Sequence, residues 1–298
     1  MLILGILFLL LTGLCWVGIA AVVRDSASRN LDIGRIQFYT SGLLVLIAAA
    51  VLLLKPLPEA GSLMNRVWLL IPLFFAGIIN YIMLYLMKIG MRTGNPGAVW
   101  GIVQSAFVCP FTMGIVFFGV ALTAPRVIGI LLIVAGIALF SRDRSQRKSS
   151  GKNWLIPTCG AFLIGGLCQC FSNIPSYMTD IVVPPPVRIL LVQGGTVSAF
   201  SAAFLFRKDK ESKNRFQMIF KPVLALTAVQ LLSLFFCFYR GLDLTARAGA
   251  GSIGYPLAQG SCIIFFMFYE KLRYRKKHQL TSWIALFVQC AGLFAISL

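Results

Sequence analysis

Negative charge is what this chain has least of. Only nine of its 298 residues are Asp or Glu, against 27 Lys and Arg, and His278 is its single histidine. Charged residues of both signs amount to 12%, where a soluble domain carries about 25%. The acids are Asp25, Asp32, Glu59, Asp143, Asp180, Asp209, Glu211, Asp243 and Glu270, and none falls in the middle of an apolar segment. A catalytic site needs converging acid–base groups or a metal constellation, so the expectation is that this is not an enzyme. A carboxylate in the membrane interior is the usual proton relay, and the sequence places none there.

Metal-ligand spacing is absent too. The eight cysteines (Cys15, Cys109, Cys159, Cys168, Cys170, Cys237, Cys262 and Cys290) all lie in apolar stretches, where cysteine acts as a small hydrophobe. Cys168-Gln169-Cys170 has neither zinc spacing nor histidine company. No metal, disulfide or cofactor is expected. Period-2 alternation is missing as well, which argues against a membrane barrel.

What the chain does have is apolar length. Hydrophobic residues make up 58% and the mean hydropathy is +0.86. Ten apolar segments, at about 2–23, 36–54, 67–87, 96–119, 126–140, 154–174, 186–206, 219–239, 246–269 and 281–298, are mostly the roughly 17–24 residues that cross a bilayer as a helix. The first, "MLILGILFLLLTGLCW", has no basic n-region and no small-residue cleavage pattern, so it reads as a retained span. The fold expected is an all-α integral membrane protein of ten transmembrane helices.

The +18 net charge is distributed by loop. The loops after segments 1, 3, 5, 7 and 9 hold 21 of the 27 cations, including "RDRSQRKSSGK" (142–152) and "EKLRYRKKHQ" (270–279); the others hold six, Lys55, Arg66, Arg126, Arg188, Arg240 and Arg247. Basic loops stay cytoplasmic. Both termini are therefore expected outside a cytoplasmic membrane, with the charge directed at anionic lipid headgroups rather than nucleic acid.

The two halves match each other. At an offset of 153, "TGLCW" (12–16) meets "GGLCQ" (165–169), and "RIQFYTSG" (35–42) meets "RILLVQGG" (188–195). At 155, Gly94, Trp100 and Gln104 meet Gly249, Tyr255 and Gln259; at 156, "AGIALFS" (135–141) meets "AGLFAIS" (291–297). The organisation expected is a first five-helix repeat over 1–145, a basic cytoplasmic join over 146–153, and a second repeat over 154–298. Five crossings per half invert the second repeat relative to the first, the design of many secondary transporters, whose site lies between the halves near the midplane.

Polar residues inside such spans need partners, and so form the functional short list. Spans 1 and 2 offer Trp16 and Tyr39; spans 3 and 8, Asn80, Tyr81, Gln230 and Tyr239; spans 4 and 9, Trp100, Gln104, Tyr255 and Gln259; spans 6 and 7, Gln169, Asn173 and Gln193. Residues i and i+4 share a helix face, so Trp100 with Gln104, Tyr255 with Gln259, and Gln169 with Asn173 each make a compact polar patch. Gly97, Gly101 and Ser105 form a small-residue stripe suited to close helix approach. Pro256 is placed either to unwind the ninth helix or merely to kink it. Each glutamine taken singly is open to two roles, interhelical glue or ligand contact; duplication of the aromatic–glutamine pair favours ligand contact. Aromatic faces beside neutral amides suit a small polyhydroxy solute. Lys88 and Arg240 close the third and eighth spans and are gate candidates, although cations there also snorkel to headgroups.

On these residues the chain resembles the drug/metabolite transporter superfamily in its EamA-like form. "LLTGLCWVG" (10–18) is similar to that family's first-span tryptophan motif, "TAPRVIGILLIVAGIALF" (123–140) to the closing span of a repeat, and "FYEKLRYRKKHQLTSWIALFVQCAGLFAI" (268–296) to its second-half counterpart. Glu270 stands where the family carries a glutamate, while the first half has "FFGVAL" (117–122) with no acid. "AGIINYIMLYLMKIGMRTG" (76–94) looks most like the L-rhamnose–proton symporter branch, around Asn80-Tyr81. The resemblance implies a secondary transporter of a small neutral solute, foremost a sugar, working by alternating access. Proton coupling enters only through the resemblance. The alternative it leaves open is an exporter of amino acids, other metabolites or drugs.

Overall fold

The computed structural model describes residues 1–55, 67–94, 96–119, 122–141, 154–178, 183–206, 216–275 and 280–297. The basic join expected over 146–153 lies outside the described residues. Among those described there is no strand. The helices, in chain order, are α1 (Leu2–Ser28), α2 (Ile33–Leu54), α3 (Val67–Thr93), α4 (Pro96–Phe118), α5 (Ala124–Ser141), α6 (Leu155–Tyr177), α7 (Pro185–Phe206), α8 (Phe216–Arg247), α9 (Gly254–Tyr274) and α10 (Leu280–Ser297).

Seven of them, α1 to α4 and α6 to α8, are long and apolar enough to cross a membrane. The outer surface agrees: Leu4, Leu7, Leu11 and Leu14 make an exposed stripe along α1, spaced as one helix face, and such a stripe belongs against lipid rather than water.

Several helices outrun their apolar segments. α3 continues past residue 87 to Thr93, α8 past 239 to Arg247, and α9 past 269 to Tyr274. Hydropathy ends a span where charge begins, but a helix continues wherever its backbone bonds can be made. Glu270 thereby becomes a helical residue only 2% exposed, which corrects the expectation that no carboxylate is buried. At α2 the start is fixed by Asp32, whose Oδ1 accepts from Gly34 N at 3.0 Å and Arg35 N at 3.3 Å, as an N-cap does.

Helices pair in a set pattern. α1 packs along α8 and α9, α6 along α3 and α4, α2 and α3 against α7, and α5 against α10. Close approach depends on glycine. A Cβ at Gly13 of α1 would stand 2.6 Å from the Ala258 carbonyl oxygen of α9, and one at Gly166 of α6 would stand 2.9 Å from Cys109 Cβ of α4. Between α5 and α10, a Cβ at Gly136 would meet the Ala285 oxygen at 3.0 Å and one at Gly292 the Gly129 oxygen at 2.7 Å. The small stripe read on α4 has a different environment: a Cβ at Gly101 would meet nothing within 4 Å, and the Ser105 hydroxyl donates back to the Gly101 carbonyl at 2.6 Å.

Two helices break their regularity near the centre. α4 tightens to a 3₁₀ turn over Ser105–Phe107, three residues before Pro110, and α8 widens to a π-helix over Leu232–Phe238. Pro256 is the third residue of α9, which is entered from a 3₁₀ turn over Gly251–Ile253; a proline is tolerated in the first turn of an α-helix.

Candidate functional site

A cavity of about 150 Å³ lies where α1, α3, α4, α6, α7, α8 and α9 face one another. Ten of the thirteen polar and aromatic residues short-listed from the sequence line it: Trp16, Asn80, Trp100, Gln104, Gln169, Gln193, Gln230, Tyr239, Tyr255 and Gln259. Every lining side chain is uncharged.

The other three stand apart. Tyr39 is 40% exposed on α2, edge-on to Phe38 and Phe216 at 5.5 and 5.4 Å between ring centres. Tyr81 is buried edge-on to Phe200 at 6.1 Å. Asn173 is buried one turn beyond Gln169, outside the lining. Of the gate candidates, Lys88 is half-buried and Arg240 exposed, and neither lines the cavity.

The aromatic wall is continuous. Phe238 touches Trp16 at 5.0 Å between centroids and meets Tyr255 edge-on at 5.3 Å, within the range of favourable aromatic pairs. Behind the wall, apolar clusters close in on both sides: Leu9, Phe107, Phe111 and Leu242 towards one end, and Val23, Met91, Val99 and Phe266 towards the other.

The amides fall into two groups. Gln193 Oε1 accepts from the buried Ser41 hydroxyl at 2.7 Å, and Gln104 Nε2 donates to Cys262 Sγ at 3.8 Å. Oε1 of Gln169, Gln230 and Gln259 is buried with no hydrogen-bond partner among the described residues, and so is the Trp100 indole N–H. A buried amide oxygen left without a donor costs about 1–3 kcal/mol, and three of the glutamines that line the cavity carry that cost.

The π segment explains how α8 contributes. Gln230 and Tyr239 are nine residues apart, which on a regular helix turning about 100° per residue puts them on opposite faces. The wider turns of Leu232–Phe238 take up the excess, so both reach the cavity. Single π insertions of this kind concentrate at functional sites.

Sequence reading missed two ion pairs. Arg24 Nη1 is 2.6 Å from Glu270 Oε1, and Arg188 Nη2 is 2.9 Å from Asp243 Oδ1. All four residues had been counted with the loops. One signal was available for Arg188, which is in step with Arg35 in the internal match. Among the described residues no cluster of His, Cys, Asp or Glu has the makings of a metal site.

No family model matches the chain, and no curated protein does. Among solved structures the fold recurs. A crystal structure described only as that of a protein superposes with a TM-score of 0.69, over 98% of this chain and 95% of that one. The two share 14% identical residues, so the likeness is one of fold.

Proposed function

We propose that this chain is a secondary transporter that moves a small neutral organic solute, foremost a sugar, by alternating access, in the manner of the drug/metabolite transporter superfamily. The observation that carries this reading is the uncharged cavity lined by Asn80, five glutamines and an aromatic wall. Sugar hydroxyls exchange hydrogen bonds with such amides, while the CH faces of the ring lie on aromatic side chains. Glu270 gives a proton-coupled version of the reading a buried carboxylate.

In this reading the ten helices are ten spans, in two inverted halves with both termini outside. The packing supports it. α1 lies along α8 and α9 as α6 lies along α3 and α4, which is one arrangement repeated with the halves exchanged. Gly13 and Gly166, 153 residues apart, make corresponding close approaches. So do Gly136 on Ala285 and Gly292 on Gly129, each residue matched to its counterpart at 156. A two-fold relation between halves gives two bundles that can rock about a shared site.

The test is the melting temperature of the purified protein in detergent with neutral sugars, zwitterionic amino acids and cationic drugs. A solute that binds only the folded protein raises the melting temperature. Stabilisation by a sugar that is lost in Gln104→Leu and Gln259→Leu supports the proposal. Stabilisation only by amino acids or drugs replaces it with the exporter reading. Alkaline-phosphatase and fluorescent-protein fusions at the C-terminus test the orientation.

A further inference from the structure

Arg188 is 1% exposed, and the whole of its guanidinium is engaged. Nε donates to the Val183 carbonyl at 2.8 Å, Nη1 to Ser176 Oγ at 2.8 Å, and Nη2 to Asp243 Oδ1 at 2.9 Å. One side chain of α7 thus ties the last turn of α6, which packs on α3 and α4, to the end of α8, which packs on α1. Charge-assisted bonds of this kind are the strong ones.

Its position relative to the cavity is specific. Ser176 is one turn beyond Ser172 on α6, and Asp243 one turn beyond Tyr239 on α8; Ser172 and Tyr239 both line the cavity. The guanidinium carbon stands 5.2 Å from the Tyr239 ring centroid. The network therefore closes over the cavity about one helical turn, some 5 Å, beyond its wall.

The opposite end carries different chemistry at the matching positions. "KIGMRTG" (88–94) aligned on "DLTARAG" (243–249) puts Arg92 and Gly94 on Arg247 and Gly249, and sets Lys88 against Asp243. Arg35 matches Arg188. Two cations occupy the places of the cation and the acid, and Arg35 instead faces Asp32 at the start of its own helix, at 3.6 Å.

We propose that Ser176, Arg188 and Asp243 form a latch that holds shut the end of the cavity at the C-terminal ends of α6 and α8, and that Tyr239 links this latch to whatever fills the cavity. Opening that end requires α8 to part from α6 and α7, which breaks the Asp243 bond. A solute displacing the Tyr239 ring moves the surface on which the Arg188 cation rests. Arg188 and Asp243 are positioning residues, and the latch rests on the alternating-access reading.

The test reads access to the cavity without any solute. Ser172→Cys places a thiol in the wall nearest the latch. Sealed membrane vesicles of each sidedness are exposed to a membrane-impermeant maleimide, and modification at residue 172 is followed by site-resolved mass spectrometry. Asp243→Asn in this background is expected to raise the labelling rate about tenfold from the face at the C-terminal ends of α6 and α8, the population shift that follows loss of one charge-assisted bond. Labelling from the other face is expected not to rise. Ser176→Ala should act in the same direction by a smaller factor and serves if Asp243→Asn does not fold. Ser198→Ala, which removes an exposed hydroxyl that donates to Gly194 O of its own helix at 2.9 Å, should leave labelling from that face unchanged. Unchanged labelling in a variant that melts as the parent does overturns the latch. Since no solute enters the assay, that result leaves the transporter reading standing; absence of solute stabilisation in the melting panel counts against the transporter reading alone.

Discussion

Arg24 Nη1 donates to Glu270 Oε1 at 2.6 Å, near the C-terminal ends of α1 and α9. The two helices therefore run parallel, in contact from Gly13 against Ala258 to this ion pair. The Arg24 cation also lies 3.6 Å over the Tyr274 ring, whose hydroxyl donates to Asp25 at 3.1 Å. Glu270 is 2% exposed and Arg24 18%, so removing the arginine takes a charge partner from a carboxylate that water reaches poorly. Arg24→Ala is expected to cost about 3–5 kcal/mol, and Glu270→Gln distinctly less. The double variant should cost less than the sum of the singles. Thermal unfolding in detergent measures all three, and additive losses would show that the pair does not couple.

Glycine substitutions separate contact from coincidence. Gly13→Ala drives a methyl into the α9 backbone, at 2.6 Å from Ala258 O and 2.9 Å from Cys262 N, neither of which can rotate away. A loss of about 1–3 kcal/mol is expected from overpacking. Gly101→Ala meets nothing within 4 Å and should be neutral, or gain up to about 1 kcal/mol from restricting the unfolded chain. Melting temperatures that fall equally in both would mean that the close approach of α1 to α9 is not what Gly13 provides.

The cavity was legible from the sequence because amides and aromatics four apart in an apolar run have few explanations. Trp100 with Gln104 and Tyr255 with Gln259 announced themselves in that way, and they face the same space. The buried charges were not legible. Arg188 and Asp243 fall at the edges of apolar segments, where hydropathy assigns residues to loops, yet α7 and α8 carry both into protein. Nor could polarity alone distinguish a lipid-side tyrosine from a cavity one. Tyr39 and Tyr255 look alike in sequence, and only packing sends one outward and the other in.

The amides make opposite predictions for stability according to their partners. Gln230 Oε1 has no donor among the described residues, whereas Gln193 Oε1 holds the Ser41 hydroxyl. Replacing an unpaired buried amide with an apolar group of similar size removes a penalty, so Gln230→Leu should leave the solute-free protein as stable as before or about 1 kcal/mol more so. Gln193→Leu leaves Ser41 without that acceptor and should cost about 1–3 kcal/mol. Residues kept at the expense of stability are the mark of a binding site. A large loss of solute-free stability in Gln230→Leu would return that residue to the role of interhelical glue.

Deleting one residue from the π segment tests the geometry of α8 as a whole. Phe236 is 52% exposed on the outer side, so its removal creates no core cavity, and seven π residues reduced to six can relax towards regular helix. Gln230 and Tyr239 are then eight residues apart on a regular helix, about 80° round its axis, so the deletion removes the residue that the wide turns absorb. Tyr239 stays at the cavity wall and Asp243 stays near Arg188. The expected result is a folded protein that is still stabilised by any solute that stabilises the parent. Loss of that stabilisation in a Phe236 deletion that still folds would show that the π segment does more than absorb one extra residue between Gln230 and Tyr239.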